Sequence, residues 1–193
     1  MASENKVQFN LKNVHYAVLT ESTTGGVTTY SWGTPVAVPG AVNLNLEQQG
    51  EITKFYADGI VYYQSPVNNG YEGDLEMARI VDKMLQDVWG MTLGTTSKVL
   101  TENANTEAKA FALLFEFDGD QKATRHVLYN CTATRPSIAG NTTTNTKEPT
   151  TETMTITAVA LKNGNIKAKT TASTTDTVYN GWYNAVWTPT EAG

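Results

Sequence analysis

Apolar and polar residues alternate with a period of two along most of this chain. From Lys12 to Leu19, Val14, Tyr16 and Val18 alternate with Asn13, His15 and Ala17, which predicts a first strand buried on one side. Gly25-Gly26 marks a turn before a short strand over Val27 to Trp32. Pro39-Gly40 then punctuates before Ala41 to Glu47, where Val42, Leu44 and Leu46 oppose Asn43, Asn45 and Glu47. Two runs, Ile52 to Tyr56 and Ile60 to Gln64, flank Ala57-Asp58-Gly59, and the Asp-Gly pair predicts a tight hairpin turn. In the run from Ala108 to Phe117, Phe111, Leu113, Phe115 and Phe117 share one face while Ala110, Ala112 and Leu114 fill the other. A strand apolar on both faces belongs in the middle of a sheet.

Asp118-Gly119-Asp120 turns the chain into Thr124 to Thr134. Strict alternation there puts Val127, Tyr129, Cys131 and Ala133 on one face and His126, Leu128, Asn130, Thr132 and Thr134 on the other. Further on, a row of Thr151, Thr153, Thr155 and Thr157 opposes Met154, Ile156, Ala158 and Ala160, and Asn163-Gly164 turns into Ile166 to Thr171. One segment breaks the pattern. Asp74 as a first-turn acid, then Leu75, Met77, Ile80, Val81, Met84, Leu85 and Val88, closed by Gly90, predicts a helix over about 74–89. Glu76, Asp82, Asp87, Arg79 and Lys83 would lie on its outer face. Residues 137–150 show no periodicity and read as a long flexible loop. The fold class expected is therefore β-dominated α+β: an antiparallel β-sandwich or barrel with one packed α-helix. It forms a single domain over 1–193, with a long hairpin and loop at about 48–73.

Composition sharpens this picture. The 193 residues suffice for one domain with its own core. Threonine alone accounts for 31 of them, and only 17% are charged, which suits β structure with much of its surface covered by a partner. The single cysteine, Cys131, excludes an internal disulfide and any paired-cysteine metal site. A net charge of -5 without a basic cluster leaves no footprint for gripping a nucleic-acid backbone. No apolar run approaches the length of a membrane span, and the first residues carry no apolar signal segment, so neither is expected.

Candidate chemistry is sparse. His126 and Cys131 are the best nucleophile and base pair, but five residues apart on a regular strand they face opposite ways. Asp118-Gly119-Asp120 opens like a calcium loop, yet Gln121, Lys122 and Ala123 supply no further ligands. The sequons at Asn130 and Asn141 have no secretory signal to give them meaning. No residue has a catalytic role assigned, no metal or cofactor is expected, and the protein is expected not to be an enzyme.

The order of short motifs is more informative. Leu11-Lys12-Asn13-Val14-His15-Tyr16-Ala17-Val18 resembles the opening segment of the major tail proteins, or tail-tube proteins, of long non-contractile-tailed bacteriophages. Pro39-Gly40-Ala41-Val42, Phe55-Tyr56-Ala57-Asp58, Trp89-Gly90, the Phe111 to Phe117 strand before Asp118-Gly119, the Thr-Glu-Thr around residue 152, and Trp182 follow in the family's order. The Thr/Asn-rich stretch from Gly140 to Thr150 departs from it.

The resemblance implies a tail-tube-like fold, self-association into homohexameric rings, and stacking of the rings into a tube around the tape-measure protein. It also implies contacts with distal tail and tail-terminator proteins, assembly in the host cytoplasm and residence in the virion tail, with no membrane. DNA would cross the lumen during ejection without specific binding, which an acidic subunit favours. Within that frame Asn43, Asn45, Thr151, Thr153, Thr155 and Thr157 are candidates for the lumen wall. Tyr56, Asp58, Tyr62, Tyr63, Gln64 and Tyr71 are candidates for an inter-subunit hairpin and its loop. Two alternatives stand beside it. One is a tube subunit of a contractile injection system; the other is a Thr-rich adhesin or binding module using Trp182, Tyr183 and Trp187 as a sugar-stacking platform.

Overall fold

The computed structural model describes residues 3–142, 145 and 149–189. Seven strands precede the first helix: β1 (Gln8–Thr24), β2 (Val27–Trp32), β3 (Val36–Ala37), β4 (Ala41–Gln49), β5 (Ile52–Ala57), β6 (Ile60–Pro66) and β7 (Gly70–Met77). After α1 (Asp82–Asp87) come β8 (Thr92–Leu93), β9 (Leu100–Thr101), β10 (Phe111–Gly119), β11 (Thr124–Ala133), β12 (Glu152–Ala158), β13 (Lys167–Lys169) and α2 (Asp176–Asn180). Nine of the strands make one antiparallel sheet in the order β2-β1-β10-β11-β12-β7-β4, with β3 added beside β1 and β13 beside β11. The far strand β4 returns to pack against β1, so the sheet curls into a sandwich-like body. A cleft lined by Phe9, Leu11, Val42 and Phe117 remains between those two strands.

Curling gives the sheet an inner and an outer side. The inner side holds the main core, built around Tyr16, Leu75, Met77, Phe111, Leu113 and Ile156. Burying each such side chain stabilises the fold by about 1.5–3 kcal/mol. The outer side carries a second cluster, Ala17, Ala112, Leu114, Val127 and Tyr129, under Trp182 and Leu161. β10, apolar on both faces, lies between β1 and β11 and serves both cores, as its sequence pattern requires. The β-dominated α+β class expected from the sequence is the class observed.

The helix expected over 74–89 is corrected. Residues up to Met77 form strand β7, and only Asp82–Asp87 is α-helical. Tyr71, Leu75 and Met77 alternate with Glu72, Asp74 and Glu76, and β4 and β12 pair with β7 on either side. Two ladders of backbone hydrogen bonds outweigh a helical spacing that Leu75 and Met77, two apart, never fitted well. The short α1 and the turn after it still supply an apolar plug, with Ile80, Met84, Val88 and Trp89 in the main core. Gly90, at φ +67°, ends this turn where a Cβ would lie 2.3 Å from the Thr106 methyl. A second short helix, α2, was not anticipated.

Bulges correct the face assignments. In β11 the partner of Phe111 is Cys131 while that of Leu113 is Leu128, so one extra residue shifts the phase. His126, Leu128 and Cys131 therefore share the inner side instead of opposing one another. In β4 a register shift at Val42 leaves that side chain exposed and turns Ala41 inward. In β1 the shifts fall at Asn10 and Asn13, both left-handed, and their amides donate to Asp118 and Glu116 of β10 at 2.7 Å each. Asparagine bonds locally and tolerates this backbone region better than other non-glycine residues. The loop expected over 137–150 has no strand or helix in its described part, where Ser137 hydrogen-bonds the backbone of Thr153; residues 143–144 and 146–148 lie outside the described residues.

Candidate functional site

The Asn row and the Thr row lie more than a hundred residues apart in the chain and meet on one surface. In register, Asn43 stands opposite Glu76 and Asn45 opposite Asp74, while Thr153 faces Glu76, Thr155 faces Asp74 and Thr157 faces Glu72 from the other side. β7 thus places a column of three carboxylates, Glu72, Asp74 and Glu76, between the two polar rows on the outer side of the sheet. Glu47 extends it opposite Glu72. These are the acids the sequence reading placed on a helix surface or left unassigned.

Hydroxyls answer part of this charge. Thr155 Oγ1 donates to Asp74 Oδ1 at 2.8 Å, and Thr151 Oγ1 donates to Glu76 Oε1 at 2.5 Å. Among the described residues, no lysine or arginine forms an ion pair with Glu47, Glu72, Asp74 or Glu76. Asn43, Asn45, Glu72 and Asp74 are exposed, whereas Thr151, Thr153, Thr155 and Thr157 are half-buried. The surface is polar, negative along its middle strand and at Glu47.

The second candidate region is the hairpin of β5 and β6. It is a two-stranded ribbon of its own, joined at its base to the β4 and β7 pair by Val67 N–H to Glu51 O and Asn69 N–H to Gln49 O. The chain jogs at Gly50, where a Cβ would fall 1.8 Å from Val67 O. Six residues of strand carry the tip about 20 Å past that base. Tyr56, Asp58, Tyr62, Tyr63 and Gln64 all lie on this arm and are exposed, Tyr62 at 70%. Ile52, Phe55, Ile60 and Val61 add further exposed apolar surface. Tyr71 does not belong with them: it sits in β7, half-buried against the main core, with the Lys167 ammonium 4.2 Å from its ring centre.

The remaining chemistry is taken up internally. Cys131 is fully buried, and burial pushes its thiol up to about 12, far from a reactive thiolate. His126 shares its face but stands two inner-facing positions away along β11, so distance and not opposite orientation separates the pair. The His126 ring stacks on Phe115 at 5.1 Å and meets Phe117 edge-on at 5.6 Å. Asp118 pairs with Lys12 at 2.5 Å, and Asp120 accepts from the Lys6 backbone at 2.7 Å, so both acids of the expected turn tie down the first residues.

Of the three aromatics in the sugar-platform alternative, Trp187 stacks on Trp182 at 6.1 Å. Trp182 is buried and donates to the His126 carbonyl at 3.3 Å, Tyr183 stacks on His15 at 4.5 Å, and of the three only Trp187 is classed as exposed. Sequence reasoning also missed a charge cluster beneath this segment. Glu116, 3% exposed, accepts from Asn13 at 2.7 Å, from Arg125 Nε at 2.9 Å and from Tyr183 at 3.2 Å. Its signal was a lone acid at the end of a strand apolar on both faces.

Among the described residues no group of three or more side chains is arranged to hold a metal ion, and no helix is long and apolar enough to cross a membrane. No protein-family model matches this chain, and no curated protein matches it.

Proposed function

We propose that this chain is the repeating subunit of a hollow tube, with the β4-β7-β12 outer surface lining the bore and the β5-β6 arm joining subunits. The observation that carries this reading is the convergence of the Asn and Thr rows around Glu72, Asp74 and Glu76. A polyanion passing such a wall finds hydroxyls and amides to slide along and carboxylates that repel its phosphates. The arm supports the same reading. A two-stranded ribbon is marginally stable alone, and this one exposes Phe55, Tyr56, Ile60, Tyr62 and Tyr63, more apolar surface than a lone hairpin leaves in water without a partner.

Joined to the resemblance in motif order, these features fit the tail tube of a non-contractile bacteriophage tail. Homohexameric rings would stack around a tape-measure protein, and the bore would later conduct DNA. Negative-stain electron microscopy with light scattering over a wide concentration range tests it. Rings or hollow tubes whose bore admits a DNA duplex are expected. A monomer at every concentration, including with tail-tip proteins added as initiators, overturns it.

A further inference from the structure

The surface that receives the arm can be named from the body itself. On the inner side of the sheet lies a cavity of 250 Å³ walled by Leu44, Leu46, Phe115, Phe117 and Leu128. β13 runs along its margin, with Lys167 opposite Leu128 and Lys169 opposite His126 in antiparallel register. Residues directly opposite in such a pair point to the same side, so both lysines extend the cavity's own face. Their charges, after burial, also contribute to holding His126 down to about 4, as ammoniums close to that ring must. Both are exposed, and neither has a carboxylate within 4.0 Å among the described residues.

The arm offers the complementary set. Its tip carries Asp58, left-handed at φ +52° in the turn, exposed and also without an ion-pair partner among the described residues. Tyr56, two residues earlier, exposes an apolar ring with one polar end. On its own chain the hairpin pairs as a separate two-stranded ribbon, and none of its residues lines the cavity beside Leu46. Of the other described lysines outside ion pairs, Lys6, Lys54, Lys98 and Lys109, none stands beside a second one on a strand next to an apolar cavity.

We infer that the arm of one copy docks on this cavity in a second copy, Tyr56 entering between the apolar walls and Asp58 meeting Lys167 and Lys169. This rests on the self-assembly reading above and names the contact that makes it. Because the arm and the cavity are different surfaces, the contact is head-to-tail and propagates into rings or filaments.

Charge exchange tests the contact separately from assembly itself. Asp58→Lys alone, and Lys167→Glu with Lys169→Glu, should each raise the critical concentration for assembly by about tenfold or more, since like charges then oppose. Combining all three in one chain should restore it to within a few-fold of wild type. A melting curve for each variant establishes that it folds. Wild-type tubes together with reversals that change nothing, or that the combination fails to rescue, overturn the docking and leave tube formation standing. A wild-type chain that never assembles removes both.

Cross-linking gives a second readout. Asp58→Cys mixed with Lys167→Cys should yield a disulfide-linked heterodimer on oxidation. Cys131, 0% exposed, stays silent in that experiment. Absence of the heterodimer in assembled material overturns the docking.

Discussion

The outer side of the sheet is divided into two halves that treat acidic residues in opposite ways. Over β1, β10 and β11 it is apolar and covered by the segment from α2 to Val186. The acid beneath that cover, Glu116, is buried and answered by Arg125, Asn13 and Tyr183. Over β4, β7 and β12 the same side of the same sheet is bare: Asp74 and Glu76 meet threonine hydroxyls, and neither they nor Glu72 meet a cation among the described residues. A carboxylate taken out of water needs a partner at once, whereas one left in water can stand unpaired and act on whatever passes. One half of the surface therefore serves folding, and the other is left open to water.

The contrast breaks most sharply at Arg125. Its guanidinium pairs with Glu116, lies 3.9 Å from the Tyr179 ring centre and donates to the Tyr179 carbonyl. Arg125→Ala leaves the buried Glu116 with Lys12 at 3.7 Å as its remaining cation, beside the Asn13 and Tyr183 hydrogen bonds, and should cost about 3 kcal/mol in urea unfolding. A loss below about 1 kcal/mol would mean that water reaches Glu116 and that the cover is loose.

Acid should weaken the fold next, from the inner side of the sheet. His126, whose carbonyl accepts the Trp182 indole, is held down to about 4 by burial, Lys169 and Lys167. The unfolded chain takes up this proton as pH falls through the ordinary value of 6.5, whereas the folded chain resists it until about 4. Stability should thus decline between those limits, by up to about 3 kcal/mol, and His126→Phe should flatten that part of the curve. A decline that persists unchanged in His126→Phe belongs to other groups.

The bare half should show the smallest effect on folding. Neutralising the exposed Glu72 and Asp74 to their amides should leave stability within about 0.5 kcal/mol of wild type, because exposed acids without ion pairs contribute little. Assembled tubes should respond instead: with lysines at Asn43, Asn45 and Thr157, they should retain DNA at low salt and release it at high salt. Tubes that pass DNA equally well with and without those lysines would show that this surface does not line the bore.

Much of this architecture was legible in the sequence because a strand half-buried in a sheet must alternate. The Asn and Thr rows, the central β10 and the tyrosine-bearing hairpin all announce themselves by period two. That the two rows meet was not legible, since pairing through β7 depends on register and no local pattern states it. β7 itself was hidden behind the helical spacing of Ile80, Met84 and Val88, which belong to α1 and its flanking turns. Bulges hid the rest. One extra residue in β11 moves Cys131 to the face of His126, and Asn10 and Asn13 in β1 reveal themselves only by their left-handed backbone. Tyr71 was placed with the arm because its neighbours in sequence are loop-like, whereas its own alternation with Glu72 puts it in β7.

The covering segment has one further consequence. It contributes no strand to the sheet: α2 and the residues after it are fastened by Tyr179, Trp182 and Tyr183 side chains and by their bonds to β10 and β11. A protease that cuts between residues 171 and 175 would sever no rung of the β ladder, yet would leave the cover held on Ala17, Ala112, Leu114 and Val127 by side-chain contacts alone. Where those contacts let go, the nicked chain would keep its sheet and bare an apolar face, so damage here registers as clumping before it registers as unfolding.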